Sequence, residues 1–293
     1  MYLFHYEMKI FESYQQPITE KPFLKYYPTR QEPRGTVLVF PGGGYEHVSV
    51  IKEGSDIAAA FNREGYQVFV LDYRVHPYTG ADFLDDAVSA VQTVRSFIRE
   101  KRFVNQKLAL MGFSAGGHLA LMESQYWREV LNGDDDINCR PDALILCYPV
   151  VTFKDPYAHK GSRKNFLGFA LNESNVDNSD AAAKFAQQNC THTAPHSSEQ
   201  VQANEAQIRK YSAEEHIAPD FPPVFLWHCE GDSSVPVENS LMLKDALDRA
   251  SIENEAVFYK NGAHGLGLAR DDEIISSWFG KCVDWLKKQQ CPL

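Results

Sequence analysis

Long apolar runs are missing from this sequence of 293 residues. A helix that crosses a bilayer needs about 18 or more consecutive apolar residues, and no segment of the chain reaches that length. The start of the chain, residues 1–11, also lacks the basic stretch, clean apolar core and small-residue cleavage site of a secretory signal. We therefore expect neither a membrane span nor a signal peptide, and we predict a cytoplasmic protein.

Basic residues are in short supply relative to acidic ones. The chain has 29 lysines and arginines against 39 aspartates and glutamates, which gives a formal net charge of −10. This excess of negative charge disfavours binding to nucleic acids and to anionic membranes. We therefore expect a small-molecule partner and neither nucleic acid nor membrane, while the oligomeric state stays open.

Clusters of side chains at the spacing of a metal site are also absent. His192 and His196 stand four residues apart, but Pro195 between them argues against a helix that would bring them together. The six cysteines show no short paired spacing, and Cys147 and Cys229 fall in apolar segments typical of strands. We expect no metal, and reduced thiols that serve as small core residues.

Apolar residues make up 44% of the chain, which is ample for a buried sheet. Short apolar segments alternate with amphipathic ones, a pattern typical of a mostly parallel sheet with helices on both faces. The sequence predicts an α/β fold in one domain over 1–293, with a polar insertion at about 170–207 that contains one or two short helices. The predicted strands are 5–12, 22–27, 36–40, 67–71, 107–111, 143–147, 223–228 and 254–259, and the predicted helices are 54–64, 82–101, 115–131, 239–250 and 271–289.

One strand-to-helix turn carries a serine at its tip. Gly112, Ser114 and Gly116 fit the Gly-x-Ser-x-Gly pattern, with an apolar run before it and a helix-like run after it. Such a turn exposes the serine hydroxyl and places the next backbone N–H at a helix N-terminus, where negative charge is favoured. We predict that Ser114 is a nucleophile and that His118, one helical turn further on, is a buried structural histidine.

Three successive glycines follow a predicted strand. In Pro41–Tyr45 they allow the backbone to approach a ligand closely and to turn several N–H groups the same way. A tight turn is the alternative, but the position two βα units before the serine favours an oxyanion loop. We predict the N–H groups of Gly43, Gly44 and Ala115 as oxyanion donors. Tyr45 is predicted to bind substrate as a wall of the acyl pocket, or else to be a rim aromatic.

A serine nucleophile of this kind needs an acid and a histidine, which follow it in that order on loops after strands. His264 is the only histidine beyond residue 230, and the glycines that bracket it suit a loop-borne base. Asp232 follows the predicted strand 223–228, at the sheet edge where open α/β sheets place their sites. We predict Asp232 and His264 as the partners of Ser114, with Glu230 as the alternative acid.

Seven motifs in a fixed order carry a family resemblance. They are Pro-Gly-Gly-Gly-Tyr (41–45), Leu-Asp-Tyr-Arg-Val (71–75), Gly-Phe-Ser-Ala-Gly-Gly-His-Leu-Ala (112–120), Arg-Pro-Asp (140–142), Tyr-Pro-Val (148–150), Val-Pro-Val-Glu-Asn-Ser (235–240) and Gly-Ala-His-Gly-Leu-Gly-Leu (262–268). Over about residues 20–168 and 208–290 the chain resembles the α/β-hydrolase esterases, and among them the small acetyl-esterases and feruloyl- or acetyl-xylan-esterase-like enzymes. The resemblance implies an α/β-hydrolase fold and ester hydrolysis without a cofactor, with Ser114, Asp232 and His264 at the triad positions.

The predicted function is therefore that of a serine carboxylesterase, acting on small, acetyl-like esters through an acyl-enzyme. Acetylated sugars are suggested as substrates by the resemblance alone. A formamidase or a peptidase would use the same three residues, and a hydrolase fold that only binds a ligand is the non-enzymatic alternative. The insertion at 170–207 departs from the family pattern, and we predict that it forms a partial lid that restricts the acyl group to short chains.

Overall fold

The computed structural model of the protein describes residues 8–13, 15, 20–30, 32–131, 138–168 and 198–290. Its strands are β1 (Ile10–Glu12), β2 (Phe23–Tyr27), β3 (Thr36–Phe40), β4 (Gln67–Asp72), β5 (Leu108–Phe113), β6 (Ala143–Cys147), β7 (Val224–Cys229) and β8 (Asn254–Tyr259). They form one sheet in the order β1-β2-β4-β3-β5-β6-β7-β8. β2 and β4 pair antiparallel and the other neighbours pair parallel, so the carboxyl ends of β3 and β5 to β8 meet at one edge.

Helices alternate with the strands. They are α1 (Asp56–Arg63), α2 (Gly80–Lys101), α3 (Ala115–Val130), α4 (Lys160–Leu167), α5 (Ser198–Lys210), α6 (Glu238–Arg249) and α7 (Ser277–Gln290), with a π-helical turn at Ile51–Ser55 and a 3₁₀ turn at Ala213–Glu215. Val37 and Val39 of β3 lie in the core with residues of α1 and α7, whereas Leu38 and Phe40 lie in the core with residues of α2, α3 and α6. This alternation follows from the two-residue period of a strand, and it confirms the predicted mostly parallel sheet covered on both faces.

The last helix begins later than predicted. α7 starts at Ser277 and not at 271, because the residues before it form a turn around a carboxylate. Asp272 Oδ1 accepts the N–H groups of Ile274 and Ile275, both at 2.9 Å. Aspartate side chains favour such local hydrogen bonds over helix formation, which explains the difference.

The predicted insertion is described only at its end. Residues 169–197, where most of the predicted lid falls, lie outside the described part of the chain. α5 includes the run at 199–209, in agreement with the helical structure predicted for the insertion. α4, directly before the insertion, is a helix that the sequence analysis does not predict. The single domain and the lid both stay predictions.

The cysteines of the described residues lie in the interior. Cys139, Cys147, Cys229 and Cys282 are all buried, which agrees with their predicted use as small core residues. Among the described residues, no helix is both long enough and apolar enough to cross a bilayer.

Candidate active site

Ser114 lies between β5 and α3, at the turn that the sequence predicts. Its backbone has φ 52° and ψ −120°, a strained conformation for a residue with a side chain. Two glycines make the turn possible: a Cβ at Gly112 would lie 2.4 Å from Gly116 O, and one at Gly116 would lie 2.1 Å from Phe40 O. Because α3 begins at Ala115, the N–H group next to the serine stands at a helix N-terminus.

His264 joins Ser114 to Asp232. Its Nε2 lies 2.8 Å from Ser114 Oγ, and its Nδ1 lies 2.6 Å from Asp232 Oδ2. Ser114 follows β5, Asp232 follows β7 and His264 follows β8, so three strand ends at one edge of the sheet supply the three side chains. The structure thus brings together the residues that the sequence predicts as nucleophile, acid and base.

The carboxylate of Asp232 is buried and fully engaged. Oδ1 accepts the N–H groups of Ser234 and Val235, both at 2.9 Å, and Oδ2 lies 3.3 Å from His228 Nε2. Burial alone would raise the pKa of this carboxyl, but hydrogen bonds from His228, His264 and Val235 outweigh it and hold the pKa well below its usual range. Asp232 therefore stays ionised and favours the His264 tautomer with the proton on Nδ1, which leaves Nε2 able to accept the serine proton.

Glu230, the alternative acid, lies elsewhere. Its backbone N–H donates to Tyr259 O at 2.8 Å, which extends the pairing of β7 with β8 by one residue. Its exposed side chain forms an ion pair with Lys260, with 2.8 Å between Oε2 and Nζ. Because this pair lies at the surface, Glu230 is not the carboxylate that contacts His264.

The glycine loop after β3 packs directly on the serine turn. A Cβ at Gly42 would lie 2.9 Å from Ser114 Cβ, so only a backbone without a side chain can approach this closely. Gly43 has φ 133° and Gly44 has φ 65°, both in the range that favours glycine. The N–H groups of Gly43, Gly44 and Ala115 have no hydrogen-bond acceptor among the described residues.

Tyr45 is buried, in contrast to the prediction that it forms a wall of the acyl pocket or a rim aromatic. Its side chain has no exposed surface, its hydroxyl lies 2.8 Å from His118 Nδ1, and its ring stacks on Phe83 at 4.8 Å. Burial lowers the pKa of His118 to about 4, although a hydrogen bond to Tyr211 O opposes this, so the imidazole is neutral. Tyr45 therefore anchors the glycine loop to α3, and His118 is the buried structural histidine that the sequence predicts.

Sequence reasoning misses two buried residues beside the site, Glu53 and Tyr148. The Tyr148 hydroxyl donates to Glu53 Oε1 at 2.7 Å, and the Tyr148 ring lies 5.0 Å from the His264 ring. Tyr148 belongs to the Tyr-Pro-Val motif, but that motif by itself carries no chemistry. A charged residue just before a predicted helix gives no signal of burial, so nothing in the sequence singles out Glu53.

A third residue that the sequence analysis misses is His159, at the start of α4. Its Nδ1 accepts the N–H of Ser162 at 3.2 Å, so the proton of the neutral ring lies on Nε2. Burial and the nearby charge of His264 lower the pKa of His159, while Asp232 raises it. From the same helix, Asn165 Nδ2 donates to Gly44 O at 2.9 Å. Because α4 itself is not predicted, the sequence gives no reason to place these residues near the site.

Known proteins of several organisms are similar to the chain, and three of them show the likeness. An endo-1,4-β-xylanase B of Butyrivibrio fibrisolvens is 30% identical over 254 residues, which are 84% of this chain and 34% of that protein. An acetylxylan esterase of Xylanibacter ruminicola is 25% identical over 264 residues, or 89% of this chain and 47% of that protein. The crystal structure of an acetyl ester-xyloside bifunctional hydrolase from Caldicellulosiruptor lactoaceticus superposes with a TM-score of 0.73 at 32% identity, over 91% of this chain and 88% of that one.

The chain spans about a third of the length of the Butyrivibrio protein and about half of the length of the Xylanibacter protein. The solved structures similar to the chain include an α/β-hydrolase enzyme. Together with the sheet, these structures confirm the predicted α/β-hydrolase fold. The family model named BD-FAE matches residues 25–247, which is most of the sequence. The chain therefore belongs to the BD-FAE family.

Proposed function

We propose that the chain is a serine carboxylesterase that hydrolyses small, acetyl-like esters through an acyl-enzyme. The observation that carries this proposal is the hydrogen-bonded series from Ser114 Oγ through His264 to Asp232, with distances of 2.8 and 2.6 Å. A serine hydroxyl is a weak nucleophile by itself and becomes a strong one when an adjacent base accepts its proton. This series supplies such a base, together with the carboxylate that orients it.

In the proposed reaction, Ser114 Oγ bonds to the ester carbonyl carbon while His264 Nε2 takes the hydroxyl proton. The ionised Asp232 stabilises the imidazolium that results. Collapse of the tetrahedral intermediate breaks the bond to the alcohol oxygen, which receives the proton from Nε2 and leaves. Water then attacks the acyl-enzyme with His264 again as base, releases the carboxylic acid and restores the serine.

The tetrahedral intermediate carries a negative oxygen that needs hydrogen-bond donors. We propose the N–H groups of Gly43, Gly44 and Ala115 for this role. Two observations support them: these groups have no acceptor among the described residues, and the glycine loop packs against Ser114. Ala115 also stands at the N-terminus of α3, where the helix dipole favours negative charge.

Acetylated sugars are the proposed substrates. The similar proteins from Xylanibacter and Caldicellulosiruptor are named for acetylxylan and for an acetyl ester and xyloside, and the Butyrivibrio protein is named a xylanase. An acetyl group on a xylose-containing sugar is therefore the ester to test first. The acyl side of such a substrate is small, and its alcohol side carries several hydroxyls.

The test compares four substrate classes on the purified chain: p-nitrophenyl acetate and its longer-chain analogues, acetylated xylose oligomers, N-formyl amides and short peptides. We expect turnover of the acetyl esters above all others. Preference for the formyl amides or the peptides would contradict the proposal in favour of a formamidase or a peptidase. No turnover of any class would favour a protein that only binds a ligand.

The Ser114→Ala variant tests the nucleophile. Loss of the nucleophile in such an arrangement lowers turnover by a factor of about 10⁶. Ser124→Ala is the matched control, because Ser124 lies on α3, which begins directly after Ser114, and is also buried. Its hydroxyl lies 2.9 Å from Ala120 O and 3.4 Å from Glu123 Oε2, both on the same helix. A folded Ser114→Ala chain with more than a few per cent of the activity of the Ser124→Ala control would refute the assignment.

A further inference from the structure

Two buried side chains that the proposed reaction does not use lie between the glycine loop and the His264 loop. Glu53 is 4% exposed and comes from the π-helical turn before α1. Tyr148 is 1% exposed and directly follows β6. A buried carboxylate is costly unless it is well hydrogen-bonded, so the partners of Glu53 indicate what it does.

Glu53 and Tyr148 connect the two loops through three hydrogen bonds. The N–H of Gly42 donates to Glu53 Oε2 at 2.8 Å, and the hydroxyl of Tyr148 donates to Glu53 Oε1 at 2.7 Å. The N–H of Gly267, three residues after His264, donates to Tyr148 Oη at 2.9 Å. The backbone beside the proposed oxyanion donors is thus fixed relative to the backbone beside the base.

The donors around Glu53 favour its ionised form. Burial raises the pKa of Glu53 above its usual value, and hydrogen bonds from Tyr148 and Gly42, together with the charges of His264 and Lys52, offset only part of this rise. A protonated Glu53 would have to donate to Tyr148 Oη, and the tyrosine proton would then have no acceptor in this network. Both carboxylate oxygens accept hydrogen bonds in the structure, as an ionised carboxylate requires.

Tyr148 also contacts the proposed base directly. Its ring meets the His264 ring in a T-shaped arrangement, with 5.0 Å between centroids and 67° between planes. The ring limits where the imidazole can lie, and the Tyr148 hydroxyl is hydrogen-bonded to the buried carboxylate of Glu53. That charge favours the imidazolium that forms when His264 accepts a proton, because a low-dielectric interior screens it weakly.

We propose that Glu53 and Tyr148 are positioning residues, which hold the glycine loop and the His264 loop in register and favour the imidazolium form of His264. This inference rests on the proposed esterase function. In the proposed reaction neither residue touches the reacting atoms, and both act through the glycine loop and His264.

The pH dependence involves every charged or titratable group near these residues. Around Glu53 they are Lys52, Tyr73, Cys147, Tyr148 and His264. Around His264 they are Glu53, His159 and Asp232. Glu53→Gln removes one negative charge from this set and preserves the shape of the side chain, so its effect on the pH profile reports the charge.

The experiment measures kcat, KM and the pH profile of kcat/KM for Glu53→Gln and Tyr148→Phe, with p-nitrophenyl acetate as substrate. We expect kcat to fall about tenfold or more in each variant while KM changes less than about twofold. In Glu53→Gln the acid limb of the profile should also move to lower pH, because a charge that favours protonated imidazole is lost. Tyr26→Phe is the matched control: Tyr26 is also buried and donates to Gln67 Oε1 at 3.0 Å, in the sheet core away from the strand ends that carry the site.

The outcomes separate the possibilities. Folded variants with the kcat and acid limb of the Tyr26→Phe control would overturn the inference and leave a purely structural pair. A Tyr148→Phe chain that does not fold would also overturn the inference, because the hydroxyl would then be needed for folding and not only for the site. If Glu53→Gln does not fold, the kcat of Tyr148→Phe decides the outcome. Failure of the proposed function would give a different result: Ser114→Ala would keep the ester hydrolysis activity of the wild type.

Discussion

His228 Nε2 lies 3.3 Å from Asp232 Oδ2, the same carboxylate oxygen that His264 Nδ1 contacts at 2.6 Å. His228 is fully buried, with its Nδ1 2.6 Å from Ser240 Oγ and its Nε2 3.0 Å from Val235 O. The acid is therefore held in place by a second, buried histidine in addition to the proposed base. A carboxylate fixed in this way orients the His264 ring without having to move during the reaction.

Asp232→Asn should retain the fold and lower kcat by a factor of about 10⁴, because an amide that donates to Nδ1 stabilises the wrong imidazole tautomer. Steady-state kinetics on an acetyl ester measures this. Glu230→Gln is the matched control, since Glu230 is an exposed carboxylate on the same loop that pairs with Lys260. An equal loss in the two variants would mean that Asp232 has no special role.

The pH profile of kcat/KM should show an acid limb, because the proposed base can accept the serine proton only as a neutral imidazole. The pKa of Asp232 is held well below its usual range, so this carboxyl stays ionised and adds no second limb above about pH 4. Activity thus rises as His264 loses its proton and becomes able to act as a base. If the acid limb persists in a residually active His264→Ala chain and disappears in His118→Ala, then His264 is not the base.

Gly44→Ala should lower kcat about 100-fold with little change in the folded structure. Among the described residues a Cβ there would meet only Ser162 Oγ at 3.9 Å and His159 Cε1 at 4.0 Å, but φ 65° is unfavourable for alanine and should displace the loop N–H groups. Gly280→Ala is the control: Gly280 lies inside α7, and no described residue outside that helix's own backbone lies within 4 Å of the added Cβ, so this variant should be fully active and about 0.5–1 kcal/mol more stable. Gly44→Ala with wild-type kcat would argue against an oxyanion role for this loop.

His118 should make the fold sensitive to acid. Its pKa is lowered to about 4 by burial, whereas an unfolded histidine titrates near 6.5, so below that pH the unfolded chain binds a proton that the folded chain does not. This contribution is fully present above about pH 6.5 and is lost as the pH falls towards 4, by about 3 kcal/mol in total. Urea unfolding at pH 7 and pH 4.5 measures it, and His118→Gln should show a smaller difference between the two. An equal difference would place the acid sensitivity in other groups.

The sequence by itself determined the layers of the fold and the three residues that meet at the site. Strand and helix periodicities are local properties, and the serine turn needs glycines at fixed spacing because any Cβ at Gly112 or Gly116 would clash. His264 and Asp232 could be selected because parallel strands place their following loops at one edge of the sheet. None of these steps requires knowledge of how distant side chains pack.

Only the tertiary structure decided which polar side chains lie inside. Tyr45 follows the glycine loop directly, yet its ring lies in the core, where its hydroxyl is hydrogen-bonded to His118 and its ring stacks on Phe83. Glu53 and Tyr148 are 95 residues apart in sequence and form one buried hydrogen bond. Burial and pairing of this kind depend on which chain segments the sheet brings together, and no local pattern carries that information.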